Sequence, residues 1–323
     1  MRLGTLLAFA SLLAAFAPTT SARAEYPDRP ITLIIPFAPG GSTSIVGRAI
    51  ADKMTEILGQ KLIVENRPGA GGTVGTKAVA GADPDGYTIA LGYTGTLAIG
   101  PTLYTKAGYD PRKDFAAIGA IGHAPNSIVV HPSFPAKTLG EFVAYAKANP
   151  EKVSFGSAGA GSASHITGEY FASIAGIRIV HIAYKGTGPA MADVLGGHIP
   201  MVIAPIPATH ANASAGTLRA LAVTSAKRTT QLPDVPTIAE SGFPDFEASL
   251  TYGLIAPAAT PRPIVDKLNQ ALRTALSSDD VKRRLLQDGT EPTPGTPEQY
   301  AAFIDEDETR WSKVIKASGA KSE

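Results

Sequence analysis

A strand, a tight turn and a helix follow one another in residues 31–54, which read ITLIIPFAPGGSTSIVGRAIADKM. The apolar run Ile31–Ile35 is typical of a strand that is buried on both faces. Prolines and the pair Gly40-Gly41 then turn the chain, and apolar residues recur at helical spacing after Ser42. Such a turn directs free backbone N–H groups, at the positive end of a helix, into the space above the strand. The pattern predicts either an anion site or a plain connection between a strand and a helix.

A second strand with a Gly/Ser-rich turn lies about one hundred residues later, in KVSFGSAGAGSASHITG from Lys152 to Gly168. A short strand, 153–155, is followed by small residues and then by a helical pattern. Glycine-rich turns allow the backbone to approach a ligand closely. Two such turns can face each other across a cleft, where each holds part of one anionic ligand.

The first 24 residues have the features of an export signal. Arg2 precedes an apolar stretch, 6–17, that is too short to span a bilayer, and Ala22-Arg23-Ala24 is a typical cleavage site. No later apolar run is long enough for a membrane helix. We therefore expect cleavage after Ala24 and a soluble protein in the periplasm.

Composition narrows the class of protein that the chain can be. The chain has no cysteine, so an exported protein of this kind depends on its own core, and about 300 residues suffice for two lobes. Charged residues make up 18%, and 29 basic residues nearly balance 28 acidic ones. This balance gives no support for nucleic-acid binding.

Short strands alternating with helices predict an α/β fold with parallel sheets in two lobes. The apolar runs 118–121 and 127–130 follow each other closely, and the second begins the new lobe. We expect the chain to cross between lobes near 122–128 and to return near 220–226. The predicted units are a signal peptide (1–24), lobe 1 (25–124 plus 226–323) and lobe 2 (125–225).

Local pattern leads to predictions for three further features. The glycine-rich segment 69–75 lacks the spacing of a nucleotide loop, so it is predicted to be a surface turn before a helix at 73–80. A strand at 87–91 is followed by Thr94, whose hydroxyl lies where open α/β sheets bind ligands, although a capping turn explains it equally well. His165 either faces the ligand or caps its own helix.

The sequence lacks most catalytic and metal-binding patterns. None of the six histidines has the spacing of a metal site, so we expect no metal. No serine lies in a G-x-S-x-G motif, although Ser42 comes nearest, and no pair of carboxylates stands out. Lys185, at the end of a predicted strand, either pairs with a carboxylate or is solvated.

Motifs along the chain resemble those of Bug-type periplasmic solute-binding proteins, which serve tripartite tricarboxylate transporters. The resemblance covers essentially the whole mature chain. Its motifs are YPxRPI at 26–31, PFAPGGS at 36–42, ENRPGAGG at 65–72, PDGYT at 84–88, YDPRKDF at 109–115, SFGSAGAGSASH at 154–165, YKGTGPA at 184–190, LRALAVTS at 218–225, LPDVPTIAESGFPDFE at 232–247 and the closing Arg310-Trp311.

This resemblance implies a two-lobe type II periplasmic-binding-protein fold, a Venus flytrap, with no catalysis and no cofactor. It implies that the two glycine-rich turns hold a small organic carboxylate by backbone N–H groups, hydroxyls and waters. We expect the protein to deliver this ligand to membrane permease subunits. We also expect it to be a monomer and to bind no nucleic acid. The expected ligand-binding residues are Phe37, Gly40, Gly41, Ser42, Thr43, Ser44, Thr94, Ser157, Ala158, Gly159, Gly161, Ser162, His165 and Tyr184.

Three positions depart from the family pattern. Ser44 and Ala204 stand where many members have aspartate, and Thr251 replaces a frequent tryptophan. An amino-acid ligand needs a carboxylate partner for its ammonium group. The loss of two acids therefore favours a carboxylate without an amino group, either aliphatic or aromatic.

Two other functions fit the same residues. One is an exported hydrolase that uses Ser42 or Ser162 with His165. The other is a sensor subunit that presents its ligand to a membrane receptor.

Overall fold

The computed structural model describes residues 25–104 and 107–320. The predicted signal peptide therefore lies outside the described residues. Within them, no helix is both long enough and apolar enough to cross a membrane.

The sheet has two halves, each with three parallel strands at its outer edge. The first half has the order β2-β1-β3 and the second β7-β5-β6. Between them lie the antiparallel strands β9 and β4, and β8 and β10 pair with β4. The strands are β1 (Ile31–Ile35), β2 (Leu62–Asn66), β3 (Thr88–Tyr93), β4 (Phe115–Val130), β5 (Ser154–Ser157), β6 (Val180–Ala183), β7 (Met201–Pro205), β8 (Arg219–Val223), β9 (Ser249–Pro257) and β10 (Glu291–Pro292).

Ten α-helices cover this curled sheet in the described residues, and the units built on its two halves are the first and second lobes. A 3-10 turn (Ala70–Gly72) precedes the second helix, and a π-helical segment (Gly95–Ile99) precedes the third. The helices are α1 (Ser42–Leu58), α2 (Thr73–Ala80), α3 (Gly100–Leu103), α4 (Leu139–Ala148), α5 (Ala163–Ala175), α6 (Thr187–Leu195), α7 (Ile206–Ser214), α8 (Arg262–Ser277), α9 (Asp279–Gln287) and α10 (Pro297–Ser318). The predicted α/β class with two lobes is confirmed, with antiparallel strands added to each parallel set.

The long strand β4 joins the two lobes. It pairs with β9 as far as Pro125 and with β7 from Asn126 onward. The two apolar runs that were predicted separately are thus parts of one strand. A strand that changes partners in this way provides a covalent connection on which two lobes can rotate.

The return connection, residues 224–248, packs against the second lobe. Phe243 and Phe246 contact Phe171 of α5 edge-on, with ring centroids 5.6 and 6.4 Å away. Leu232 lies in one cluster with Ile206 and other residues of the second lobe. The sequence division placed residues 226–248 in lobe 1, whereas this packing favours lobe 2.

Candidate functional site

Three connections that follow the carboxyl ends of parallel strands converge where the two lobes meet. They are residues 36–41 after β1, 158–162 after β5 and 184–186 after β6. The connections of the two lobes touch directly, because the Ala38 N–H donates to the Lys185 carbonyl at 2.8 Å. This is the edge at which open α/β sheets place their ligands.

A small cavity of about 10 Å³, room for about one water molecule, lies between these connections. Its lining is buried and carries five hydroxyl groups beside apolar side chains. Among the described residues that line it, none is charged. The lining residues are Phe37, Ser42, Thr43, Tyr93, Ala158, Ser164, Thr187, Pro205 and Leu250.

Three helices begin at this cavity. α1 begins at Ser42, α5 at Ala163 and α6 at Thr187, so three positive helix ends point towards one uncharged space. The first and third meet, because the Ser42 N–H donates to Thr187 Oγ1 at 3.2 Å. A Cβ atom at Gly41 would lie 2.4 Å from the same Oγ1, so only glycine permits this approach. The arrangement favours an anion without any cationic side chain.

The side chain of Tyr93 extends from the first lobe to the start of α5 in the second lobe. Its hydroxyl oxygen accepts the N–H of Ala163 at 2.8 Å, and its ring packs edge-on against Phe37 with centroids 5.2 Å apart. Burial raises the pKa of Tyr93, so the phenol stays protonated at neutral pH and keeps a proton to donate.

The second Gly/Ser turn uses several of its N–H groups to hold its own shape. Ser164 Oγ accepts the N–H of Ala158 at 3.0 Å, and His165 Nδ1 accepts the N–H of Gly161 at 3.1 Å. Ser157 Oγ accepts the N–H of Gly159 at 3.0 Å. The sequence predicts that these N–H groups face a ligand. In this structure they fix the turn, and the side chain of Ser164 faces the cavity instead.

His165 packs behind this turn and does not line the cavity. It stacks on His181 with ring centroids 3.8 Å apart, and His181 Nε2 lies 2.6 Å from Ser157 Oγ. Burial, with a smaller contribution from His181, lowers the pKa of His165 to about 3. Burial lowers the pKa of His181 to about 4. Both imidazoles are therefore neutral near pH 7.

Three predicted hydroxyl residues lie outside the cavity because each is engaged elsewhere. Ser44 Oγ accepts from Asn66 Nδ2 at 3.1 Å. Thr94 Oγ1 donates to Asp307 at 2.7 Å, and the Tyr184 hydroxyl donates to Asp193 at 2.6 Å.

The remaining predicted residues surround the cavity without lining it. Gly159 and Gly161 have positive φ values of 126° and 69°, and Cβ atoms there would lie 2.7 Å from the Tyr184 carbonyl and 2.4 Å from the Tyr104 ring. Their role is close packing of the turn. The others are Gly40, Gly41, Ser157 and Ser162, of which Gly41 and Ser162 are the residues before α1 and α5. Four predictions, Phe37, Ser42, Thr43 and Ala158, do line the cavity.

Five lining residues were missed, namely Tyr93, Ser164, Thr187, Pro205 and Leu250. Two had a usable signal: Tyr93 ends a strand next to the predicted Thr94, and Thr187 begins a helix in the YKGTGPA motif. Leu250 had none, since it reaches the cavity through a strand far along the chain.

The glycine-rich segment 69–75 is not the predicted surface turn. Gly71 and Gly72 are buried, and a Cβ atom at Gly71 would lie 2.2 Å from the Ala160 carbonyl of the second lobe. The Tyr104 hydroxyl donates to the same carbonyl at 2.5 Å. This segment is therefore a contact between the lobes.

The three positions that depart from the family pattern do not line the cavity. Thr251 Oγ1 lies 2.7 Å from His123 Nδ1, on the opposite face of β9 from Leu250. Ala204 directly precedes the lining residue Pro205. Among the described residues, no group of three or more His, Asp or Glu could hold a metal ion.

Known proteins share both the sequence and this architecture. The sequence model of the family described as "Tripartite tricarboxylate transporter family receptor", TctC, matches residues 46–320. The chain belongs to this family. Among curated TctC relatives, protein BugT of Bordetella pertussis is 39% identical over 297 residues, which are 92% of this chain and 91% of BugT. The resemblance to Bug-type proteins is confirmed.

Two solved structures of similar proteins contain small carboxylates. Rpa4515 of R. palustris with adipate is 35% identical, has a TM-score of 0.89 and covers 92% of this chain and 99% of its own. MatC of Rhodopseudomonas palustris with bound malate is 33% identical, has a TM-score of 0.87 and covers 90% of this chain and 100% of its own.

TctC proteins are periplasmic solute-binding receptors and not enzymes. For Ser162, the geometry also argues against the hydrolase alternative. Ser162 Oγ accepts the backbone N–H of His165 at 3.3 Å, and the His165 imidazole is held by Gly161, so the ring does not act as a base for Ser162.

Proposed function

We propose that this protein captures a small organic carboxylate between its lobes and delivers it to the membrane permease of a tripartite tricarboxylate-type transporter. The observation that carries the proposal is the uncharged, hydroxyl-lined cavity at the start of three helices. Adipate and malate in related structures support the same class of ligand.

Polar and apolar side chains of the lining contact different parts of the ligand. Ser42 and Thr43 at the start of α1, with Thr187 at the start of α6, present hydroxyls from both lobes. Each hydrogen bond to a carboxylate contributes about 1.5–3 kcal/mol, and micromolar affinity corresponds to about 8 kcal/mol, so several such bonds suffice. The apolar side chains Phe37, Pro205 and Leu250 suit the carbon skeleton of the ligand.

The ligand lacks an amino group. No Asp or Glu is among the described residues of the lining, and a buried ammonium group without a partner is strongly unfavourable.

We also propose that the lobes move as units on β4 and the return connection. Lobe 1 comprises 25–124 and the residues from 249 onward, and lobe 2 extends to 248 because of the packing of Phe243 and Phe246.

The mature protein acts as a periplasmic monomer after cleavage behind Ala24. Its intact mass after export should lack residues 1–24, and a mature chain that retains residues 6–17 would contradict this.

A binding experiment tests the proposed function. Mono-, di- and tricarboxylates, including adipate and malate, are screened by thermal shift and confirmed by titration calorimetry. At about 100 times its Kd, a true ligand adds about 2.7 kcal/mol of stability. Saturable binding without turnover of carboxylic esters supports the proposal, and no binding of any carboxylate contradicts it.

Two variants separate hydroxyl recognition from an ion pair. Thr187→Val removes one lining hydroxyl at constant shape, so affinity should fall about 10- to 100-fold. Lys185→Ala should change affinity less than about twofold, because the Lys185 side chain is exposed and does not line the cavity. The reverse order of effects would show that a cationic side chain carries recognition.

A further inference from the structure

Tyr252 lies on β9 with its side chain on the face of the sheet that bounds the cavity. It pairs directly with Tyr93 of β3, and directly opposed residues of antiparallel strands share a face. Leu250, two residues earlier on the same strand, also lines the cavity. Tyr252 is fully buried in the same core cluster as Tyr93 and Phe37.

The Tyr252 hydroxyl is buried and has no hydrogen-bond partner of ordinary geometry among the described residues. Its polar neighbour is the Ser42 hydroxyl, which lines the cavity and lowers the pKa of Tyr252 against the larger rise that burial causes. The phenol therefore remains protonated and has a proton to donate. Buried hydroxyls without a partner are uncommon, and they call for a structural or functional explanation.

We propose that Tyr252 is a positioning residue for ligand binding: it donates its O–H to Ser42 Oγ and so leaves the Ser42 O–H to be donated to the ligand carboxylate. This inference rests on the proposed function. A serine hydroxyl has one proton and two lone pairs, so accepting from Tyr252 turns its only proton towards the cavity. A chain of two hydroxyls also polarises each bond and strengthens the last donor. The cavity then presents a donor where a carboxylate, which only accepts, has its oxygens.

The test is a double-mutant cycle on the affinities for malate and adipate, measured by calorimetry. Tyr252→Phe and Ser42→Ala should each weaken binding about tenfold. The double variant should bind no more weakly than Ser42→Ala, because Tyr252 acts through Ser42. Tyr109→Phe is the control: this half-buried phenol donates to the Thr96 carbonyl at 2.7 Å and does not line the cavity, so its loss should leave affinity unchanged.

The possible outcomes distinguish failure of the proposed role of Tyr252 from failure of the proposed function. If the wild type binds malate or adipate while Tyr252→Phe has no effect, or if the two effects simply add, this inference is overturned and the proposed function stands. If the wild type binds no carboxylate of the screen, both are overturned.

A second measurement tests the inference even if the Tyr252→Phe variant does not fold. A crystal structure of the wild-type complex with malate or adipate should place Tyr252 Oη within about 3.2 Å of Ser42 Oγ, and Ser42 Oγ within the same distance of a ligand oxygen. A separation of the two side-chain oxygens beyond about 4 Å overturns the inference.

Discussion

Replacing Gly188 by alanine should lower ligand affinity about 10- to 100-fold without reducing the free energy of unfolding. A Cβ atom at this position would lie 2.3 Å from the Pro39 carbonyl oxygen of the first lobe, so the closed arrangement is obstructed. The φ angle of Gly188 is not in the left-handed region, and the residue lies in α6, where alanine is the better helix former. The substitution therefore disfavours closure of the two lobes and does not destabilise the fold of the second lobe.

Gly140→Ala in α4 is the matched control. The nearest atom to its added Cβ would be Thr138 Oγ1 at 4.0 Å, so nothing is displaced. Calorimetry with malate and adipate gives the affinities, and denaturant unfolding gives the stabilities. Wild-type affinity in Gly188→Ala would show that the contact between the glycine-rich connections is not needed for binding.

Lowering the pH from 7 to 5 should reduce the free energy of unfolding by about 3–4 kcal/mol through two histidines. His165 and His181 have pKa values lowered to about 3 and about 4 in the folded protein. In the unfolded chain they titrate near the ordinary value of about 6.5. The unfolded state then binds more protons, so the contribution is complete above about pH 6.5 and is lost as the pH falls towards 4.

Urea unfolding at pH 7, 6 and 5 measures this loss. The double variant His165→Gln, His181→Gln should have a much flatter dependence, whereas His198→Gln should match the wild type, since the His198 side chain is 74% exposed. Glu169 Oε1 lies 3.8 Å from His165 Nε2, and burial raises the pKa of this carboxyl group, so the measurements stay at or above pH 5. Equal slopes in the double variant and the wild type would contradict the assignment.

Local chemistry was enough to predict much of the fold. The apolar run at β1 depends on neighbouring residues alone, and this strand is found as predicted. The run of β4 was predicted as two pieces because residues 122–126 break the apolar pattern while the strand only changes partners there.

The site was harder to predict than the fold because it depends on which way side chains face. Tyr93 and Thr94 are adjacent at the end of β3, and only the tertiary structure shows that Tyr93 faces the cavity while Thr94 bonds Asp307. Likewise the return connection carries no local sign of its lobe. The packing of Phe243 and Phe246 against Phe171 in the tertiary structure favours the second lobe.

The central claim is that a carboxylate held between the lobes closes them over the cavity. Small-angle scattering of the mature protein, with and without a saturating acid from the binding screen, measures this most directly. The account predicts a smaller radius of gyration with the acid and a profile that matches the structure described above. Saturable binding with an unchanged radius of gyration would contradict it.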